Sequence, residues 1–332
     1  MAIFRFGRHG SRQQMIVCLT IAGVLAGCNS IGNDSNPPKP PGTIVEFNVP
    51  TANAGVSSIV AGPNNSLWFL ESQNTGSKIG RITLQGAITE YPMPAGVSFP
   101  EDLVVGRDNN LWYVDEANHI GFMTPAGVFS PLFTAANASS IAVGSDNNFW
   151  VPEFNGNKVD VYGTSGAQVH SFPTGSGAQL EAIALGSDNN VWIASFSSRL
   201  VKVTTAGVAT PYTVAAISNG MRGIVSGPDS NLWICADSDN LLVKVTTSGT
   251  VAAAYTVPTA GASPWKITDG PDGNLWFTEL FGNKIARSTP MGSITEFTLP
   301  TANAQPYGIA AGQDGYIWFT EQQGNKIGYI VP

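Results

Sequence analysis

The 332-residue chain has a formal charge of −7 and only 12% charged residues. This acidic balance excludes the basic footprint that nucleic-acid binding needs. Its 37 glycines and 22 prolines argue against long helices and for many short elements joined by tight turns, so the expected class is all-β. With 43% hydrophobic residues, the chain has enough apolar material for a substantial core.

In chain order, Arg5, Arg8 and Arg12 precede an apolar run over 15–26 that is too short for a comfortable membrane span. The run ends in Leu25-Ala26-Gly27-Cys28, which resembles the lipobox of bacterial lipoproteins. That resemblance implies a signal peptide over 1–27, acylation of Cys28 and a chain lipid-anchored in the bacterial cell envelope, facing the periplasm or the exterior. Loss of the three arginines would take the formal charge from −7 to −10, because no acidic residue precedes Cys28. Residues 28–42, with Pro37, Pro38, Pro40 and Pro41, read as an extended tether. Beyond it only Cys235 remains, which permits no intrachain disulfide, and its apolar strand context predicts a buried, inert thiol.

Over 43–332 one pattern recurs. Trp68, Trp112, Trp150, Trp192, Trp233, Trp276 and Trp318 stand in near-identical contexts at intervals of 44, 38, 42, 41, 43 and 42 residues. A period near 42 with four short apolar runs per unit predicts a seven-bladed β-propeller. The last unit reads inner strand (Gly308-Ile309-Ala310-Ala311), turn (Gln313-Asp314-Gly315), second strand (317–321), turn and third strand (326–330). Its fourth strand is expected from the other end: Ile44-Val45-Glu46-Phe47-Asn48-Val49-Pro50 matches Ile294-Thr295-Glu296-Phe297-Thr298-Leu299-Pro300. The N-terminal strand then closes the ring and leaves no open edge. The tryptophans read as packing between blades, and the Asp-Asn clusters such as Asp108-Asn109-Asn110 as turn chemistry rather than calcium ligands.

In such a ring the segments leading into the inner strands and those leaving the second strands gather on one face, around the channel. Two positions before the first Ile or Leu of each inner strand stand Ser57, Glu101, Ser139, Glu181, Arg222, Trp265 and Tyr307, with Asp102 after Glu101 and Lys266 after Trp265. A repeat scaffold needs no such variety at one position. We therefore select Glu101, Glu181, Arg222, Trp265, Lys266 and Tyr307 as the candidate ligand-binding residues. At the exit of the second strands stand Glu71, Asp115, Glu153, Ser195, Ala236, Glu279 and Glu321. Lys78, His119, Lys158, Lys284 and Lys326 begin the third strands of the units that carry a carboxylate, so each is expected to pair across its own hairpin.

The strings Asn274-Leu275-Trp276-Phe277-Thr278-Glu279, Gly324-Asn325-Lys326-Ile327-Gly328 and 294–300 resemble the repeats of the virginiamycin B lyases, also called streptogramin B lyases. The resemblance covers about 43–332. It implies a magnesium ion that polarises the substrate and a histidine that removes a proton α to an ester carbonyl, opening the lactone of a cyclic peptide antibiotic. The family's histidines lie in Pro-His-Gly-Ile or Pro-His-Ala-Ile segments of the last blades. The corresponding segments here are Pro264-Trp265-Lys266-Ile267 and Pro306-Tyr307-Gly308-Ile309, and the places of two family metal carboxylates hold Gln305 and Gln322. Imidazole takes a proton near neutrality; indole and phenol do not replace it cheaply.

Three readings follow. The first is an envelope propeller, monomeric and non-catalytic, that binds a small molecule, peptide or saccharide, or an envelope protein, at its mouth. The second is a magnesium-dependent lyase or hydrolase of a lactone or ester, and the third a structural scaffold of the envelope. No cofactor is assigned under the first reading, and no catalytic residue under any.

Overall fold

The computed structural model describes residues 39–332 except 73–75, 176 and 178. Residues 1–27, expected to be a signal peptide, and Cys28 lie outside the described residues. Seven four-stranded antiparallel sheets form a closed ring, each running from an inner strand at the channel to an outer strand at the rim, and no helix occurs among the described residues. The N-terminal strand Ile44–Asn48 completes blade seven by pairing with Lys326–Ile330, Glu46 opposite Gly328. It ends before Pro50, which has no N–H to donate, although the Val49 amide still reaches the Asn325 carbonyl at 3.0 Å. Contacts with the last blade begin at Lys39, whose ammonium lies over the Tyr329 ring, and Gly42 donates to the Val331 carbonyl at 2.8 Å.

All seven tryptophans are fully buried, between blades as their repeated context predicts. A buried indole must still place its N–H. Six of them donate to the aspartate four residues earlier, in the turn between the first two strands: Asp108, Asp146, Asp188, Asp229, Asp272 and Asp314. Trp68 uses the Pro63 carbonyl instead. The Asp-Asn clusters thus make the turn, with Asn109, Asn147 and Asn189 in left-handed backbone, and also satisfy the core.

The short 38-residue interval between Trp112 and Trp150 has a structural cost. The outer strand of blade two shrinks to Phe133–Thr134 and the inner strand of blade three to Ala142–Val143. The other blades keep inner strands of six or seven residues. The irregular sector therefore faces the mouth on the side of Glu101 and Ser139. Cys235 is a free, buried thiol, and burial pushes its pKa up, as expected of an inert core residue.

Candidate functional site

Each inner strand but that of blade three starts with a register shift. In blade six Pro264 opposes Glu279 and Ile267 opposes Phe277, so one residue is extra; blade seven repeats this between Pro306 and Ile309. Such a bulge frees the side chains beside it from strict alternation and re-aims them. It falls on Trp265-Lys266 in blade six and on Tyr307-Gly308 in blade seven. Thr278 fixes both places: its hydroxyl accepts from the Lys266 amide at 3.1 Å and donates to the Tyr307 carbonyl of the next blade at 2.9 Å.

The bulges create two concentric rings. The outer one holds the candidates Glu101, Glu181, Arg222, Trp265 and Tyr307, and the structure joins four of them in a line; the sixth, Lys266, falls on the inner ring. Arg222 donates to Glu181 at 2.8 Å and to Asp237 at 3.2 Å. Its guanidinium lies 4.4 Å from the Trp265 ring and 4.6 Å from the Phe196 ring. Trp265 in turn packs at 5.6 Å on Tyr307. Arg222 is thus held between two aromatic faces and two carboxylates, a cation satisfied by the protein itself.

The inner ring, one residue later, lines the central channel: Ser58, Asp102, Ser140, Ala182, Gly223, Lys266 and Gly308 around a cavity of about 170 Å³. Only two of these positions are charged. Asp102 is fully engaged, one oxygen accepting from Ser58 at 2.8 Å and the Leu103 amide at 2.9 Å, the other from Ser140 at 2.5 Å and the Ile141 amide at 3.2 Å. Burial alone would lower the Lys266 pKa, but Asp102, Tyr307, Glu181 and Glu101 outweigh it and hold the ammonium above its ordinary value. Burial also pushes the Tyr307 phenol up.

Glu101 lies apart from that line. With Glu116, Ser139, Phe154 and Glu181 it borders a second cavity of about 360 Å³ at the mouth. Burial, and then the neighbouring Glu116 carboxylate, push Glu101 up to about 8. At neutral pH the Glu101 carboxyl therefore keeps its proton.

The exit carboxylates correct part of the expected pairing. In blades two and three it holds: His119 meets Asp115 at 3.1 Å and Lys158 meets Glu153 at 2.9 Å. In blades one, six and seven each lysine stands opposite its glutamate in register but reaches past it to the outer strand. Lys78 pairs with Glu90 at 2.5 Å, Lys284 with Glu296 at 2.6 Å and Lys326 with Glu46 at 2.7 Å. Thr51, Thr259 and Thr301 each donate an amide and a hydroxyl to the same outer glutamates. Glu71, Glu279 and Glu321 are left buried without a donor for either oxygen. Burial, and then the outer glutamate beside each, raise them to about 7, 8 and 8. A buried carboxyl that keeps its proton can donate to the adjacent carboxylate and avoids the cost of an uncompensated charge.

This bears on the magnesium that the resemblance implies, because the hard cation wants several converging oxygen ligands. At the lead-in to blades six and seven stand an indole, an ammonium and a phenol, and the nearby Glu321 is shut inside its blade. Among the described residues no group of three or more histidine, cysteine, aspartate or glutamate side chains is placed to hold a metal ion. The donor set around Trp265 and Tyr307 does not fit magnesium.

A family description, the virginiamycin B lyase family, matches residues 29–195 and 132–332. Among solved structures, a virginiamycin B lyase from Staphylococcus aureus superposes with a TM-score of 0.80 at 30% identity, over 87% of this chain and 99% of that one. A streptogramin B lyase matches with a TM-score of 0.79 at 28% identity, over 86% and 96%. A catalytically inactive histidine-to-alanine variant of the Staphylococcus aureus enzyme, with quinupristin, gives a TM-score of 0.81 at 29% identity, over 87% and 99%. No curated protein matches. With its seven blades, its closing strand and a family match spanning the propeller, this chain belongs to the virginiamycin B lyase family.

Proposed function

We propose that this propeller binds a peptide-class ligand across its mouth, on the aromatic and cationic line of blades four to seven, and does not carry out the family's lactone-opening reaction. The observation that carries this reading is the pair Trp265 and Tyr307, whose rings pack tilted at 53° with centroids 5.6 Å apart where the resemblance calls for a proton-abstracting histidine and its metal. Neither substitute removes a proton readily. Lys266 stays an ammonium, and burial raises the Tyr307 phenol away from the pH at which it would act as a base. What the two residues offer instead is a broad aromatic face backed by the fixed Arg222 cation, which suits recognition rather than proton transfer.

The address proposed with it is the cell envelope, through a lipid on Cys28; a Cys28→Ser chain should then leave the membrane fraction for the soluble one. The relative solved with quinupristin supplies a probe for the mouth. Calorimetric titration of quinupristin should give saturable binding to the native chain and none to the Trp265→Ala/Tyr307→Ala double variant, with circular dichroism and a cooperative melt showing that both remain folded. Unchanged binding to the double variant would place the site elsewhere.

A further inference from the structure

Lys266 is a charged group of the channel whose ammonium makes no hydrogen bond or ion pair among the described residues. The residue is half-buried, and its side chain has no ring contact there either; its backbone amide is bonded to Thr278. Its surroundings explain this. On the inner ring Asp102 is flanked by Ser58 and Ser140, and both donate to it. Lys266 is flanked by Gly223 and Gly308, which bring no side chain. Glycine is required there: a Cβ on Gly223 would sit 2.5 Å from the Trp265 carbonyl oxygen, and one on Gly308 2.3 Å from that of Ser57. The close approach of neighbouring inner strands therefore allows no side chain at either flanking position, so neither can supply the ammonium with a partner.

A second unused donor belongs to the preceding residue. The Trp265 indole N–H is buried and has no acceptor; it leans toward the Tyr307 hydroxyl, itself within the electrostatic reach of Lys266, but not in bonding geometry. The carboxylates around them are already committed. Asp102 has four donors, and Glu181 belongs to Arg222. Leaving a buried indole N–H without an acceptor is costly, and native proteins seldom do so without a purpose.

We infer that Lys266, with the Trp265 N–H and the Tyr307 hydroxyl, forms a metal-free pocket for a single carboxylate of the ligand. A monoanion fits better than a phosphate, because Asp102 and Glu181 already act on the same ammonium and a second negative charge would be repelled. The carboxylate would accept a charge-assisted bond from Lys266, while the rest of the ligand lies on the aromatic line. This inference rests on the mouth-binding reading and specifies its chemistry.

The test uses N-acetylphenylalanine and its uncharged twin N-acetylphenylalaninamide, titrated into protein labelled with ¹⁵N at tryptophan, with the Trp265 indole signal identified by its loss in Trp265→Phe. The carboxylate should move that signal and bind at least tenfold more tightly than the amide. Lys266→Met, checked for an unchanged melting temperature, should abolish the preference. Equal affinity of the two probes, or a preference that survives Lys266→Met, overturns the inference but leaves mouth binding standing. If neither probe moves the Trp265 signal, the inference also falls, and mouth binding is then judged on the quinupristin titration alone.

Discussion

Arg222 and Lys266 occupy adjacent blades and adjacent rings, and the protein treats them in opposite ways. Arg222 is given two carboxylates and two aromatic faces; Lys266 is given two glycines. A repeat scaffold that can pair a cation this fully, and one blade later leaves another idle, separates support from site. The same contrast runs through the exit column. Blades two and three pair their carboxylates across the hairpin, whereas blades one, six and seven bury theirs as acids behind a lysine committed elsewhere.

The largest effect on stability should come from the supporting side of that comparison. Arg222→Met leaves Glu181 and Asp237, both largely buried, without their cation and removes the plane packed on Trp265. Unfolding in urea should show a loss of about 2 kcal/mol, between the small worth of surface pairs and the larger cost of breaking fully buried ones. Lys266→Met removes a cation that makes no hydrogen bond or ion pair and is held only by carboxylates acting at a distance, and should cost clearly less than Arg222→Met. If the two variants lose equal stability, the distinction between support and site is wrong.

A smaller effect concerns the exit acids. Glu279 and Glu321 hold their protons up to about 8 in the folded chain against an ordinary value of 4.5. Between those values the folded state binds more protons than the unfolded one. The stability they contribute is complete below about pH 4.5 and is lost as pH rises through 8. The melting temperature should fall by roughly 2 °C or more from pH 6 to pH 9, and Glu279→Gln/Glu321→Gln should flatten that slope.

Most of the architecture was legible in the sequence because it rests on spacing. The tryptophan interval fixed the number of blades, and the likeness of residues 44–50 to 294–300 placed the closing strand. Even the irregular sector was written in the interval of 38 residues. The site was legible only as a set of positions. Spacing put Lys78 opposite Glu71, as the register bears out, but a lysine side chain is long enough to choose between two carboxylates, and the threonine-anchored Glu90 won. The signal was present in the recurrence of glutamate at Glu46, Glu90 and Glu296, which alignment of the fourth strands would have exposed. Likewise Lys266 read as one more cation of a polar ring. Its isolation depends on Gly223 and Gly308 pressing against the carbonyls of neighbouring blades, a contact between strands far apart in sequence.

The most direct measurement is a quinupristin titration of the native protein, once with magnesium and once with EDTA, followed by chromatographic separation of cyclic from linear antibiotic. Separation is needed because elimination leaves the mass unchanged. Our account predicts the same affinity in both buffers and only cyclic antibiotic recovered. Magnesium-dependent binding, or linear product above the metal-free and protein-free controls, would contradict it.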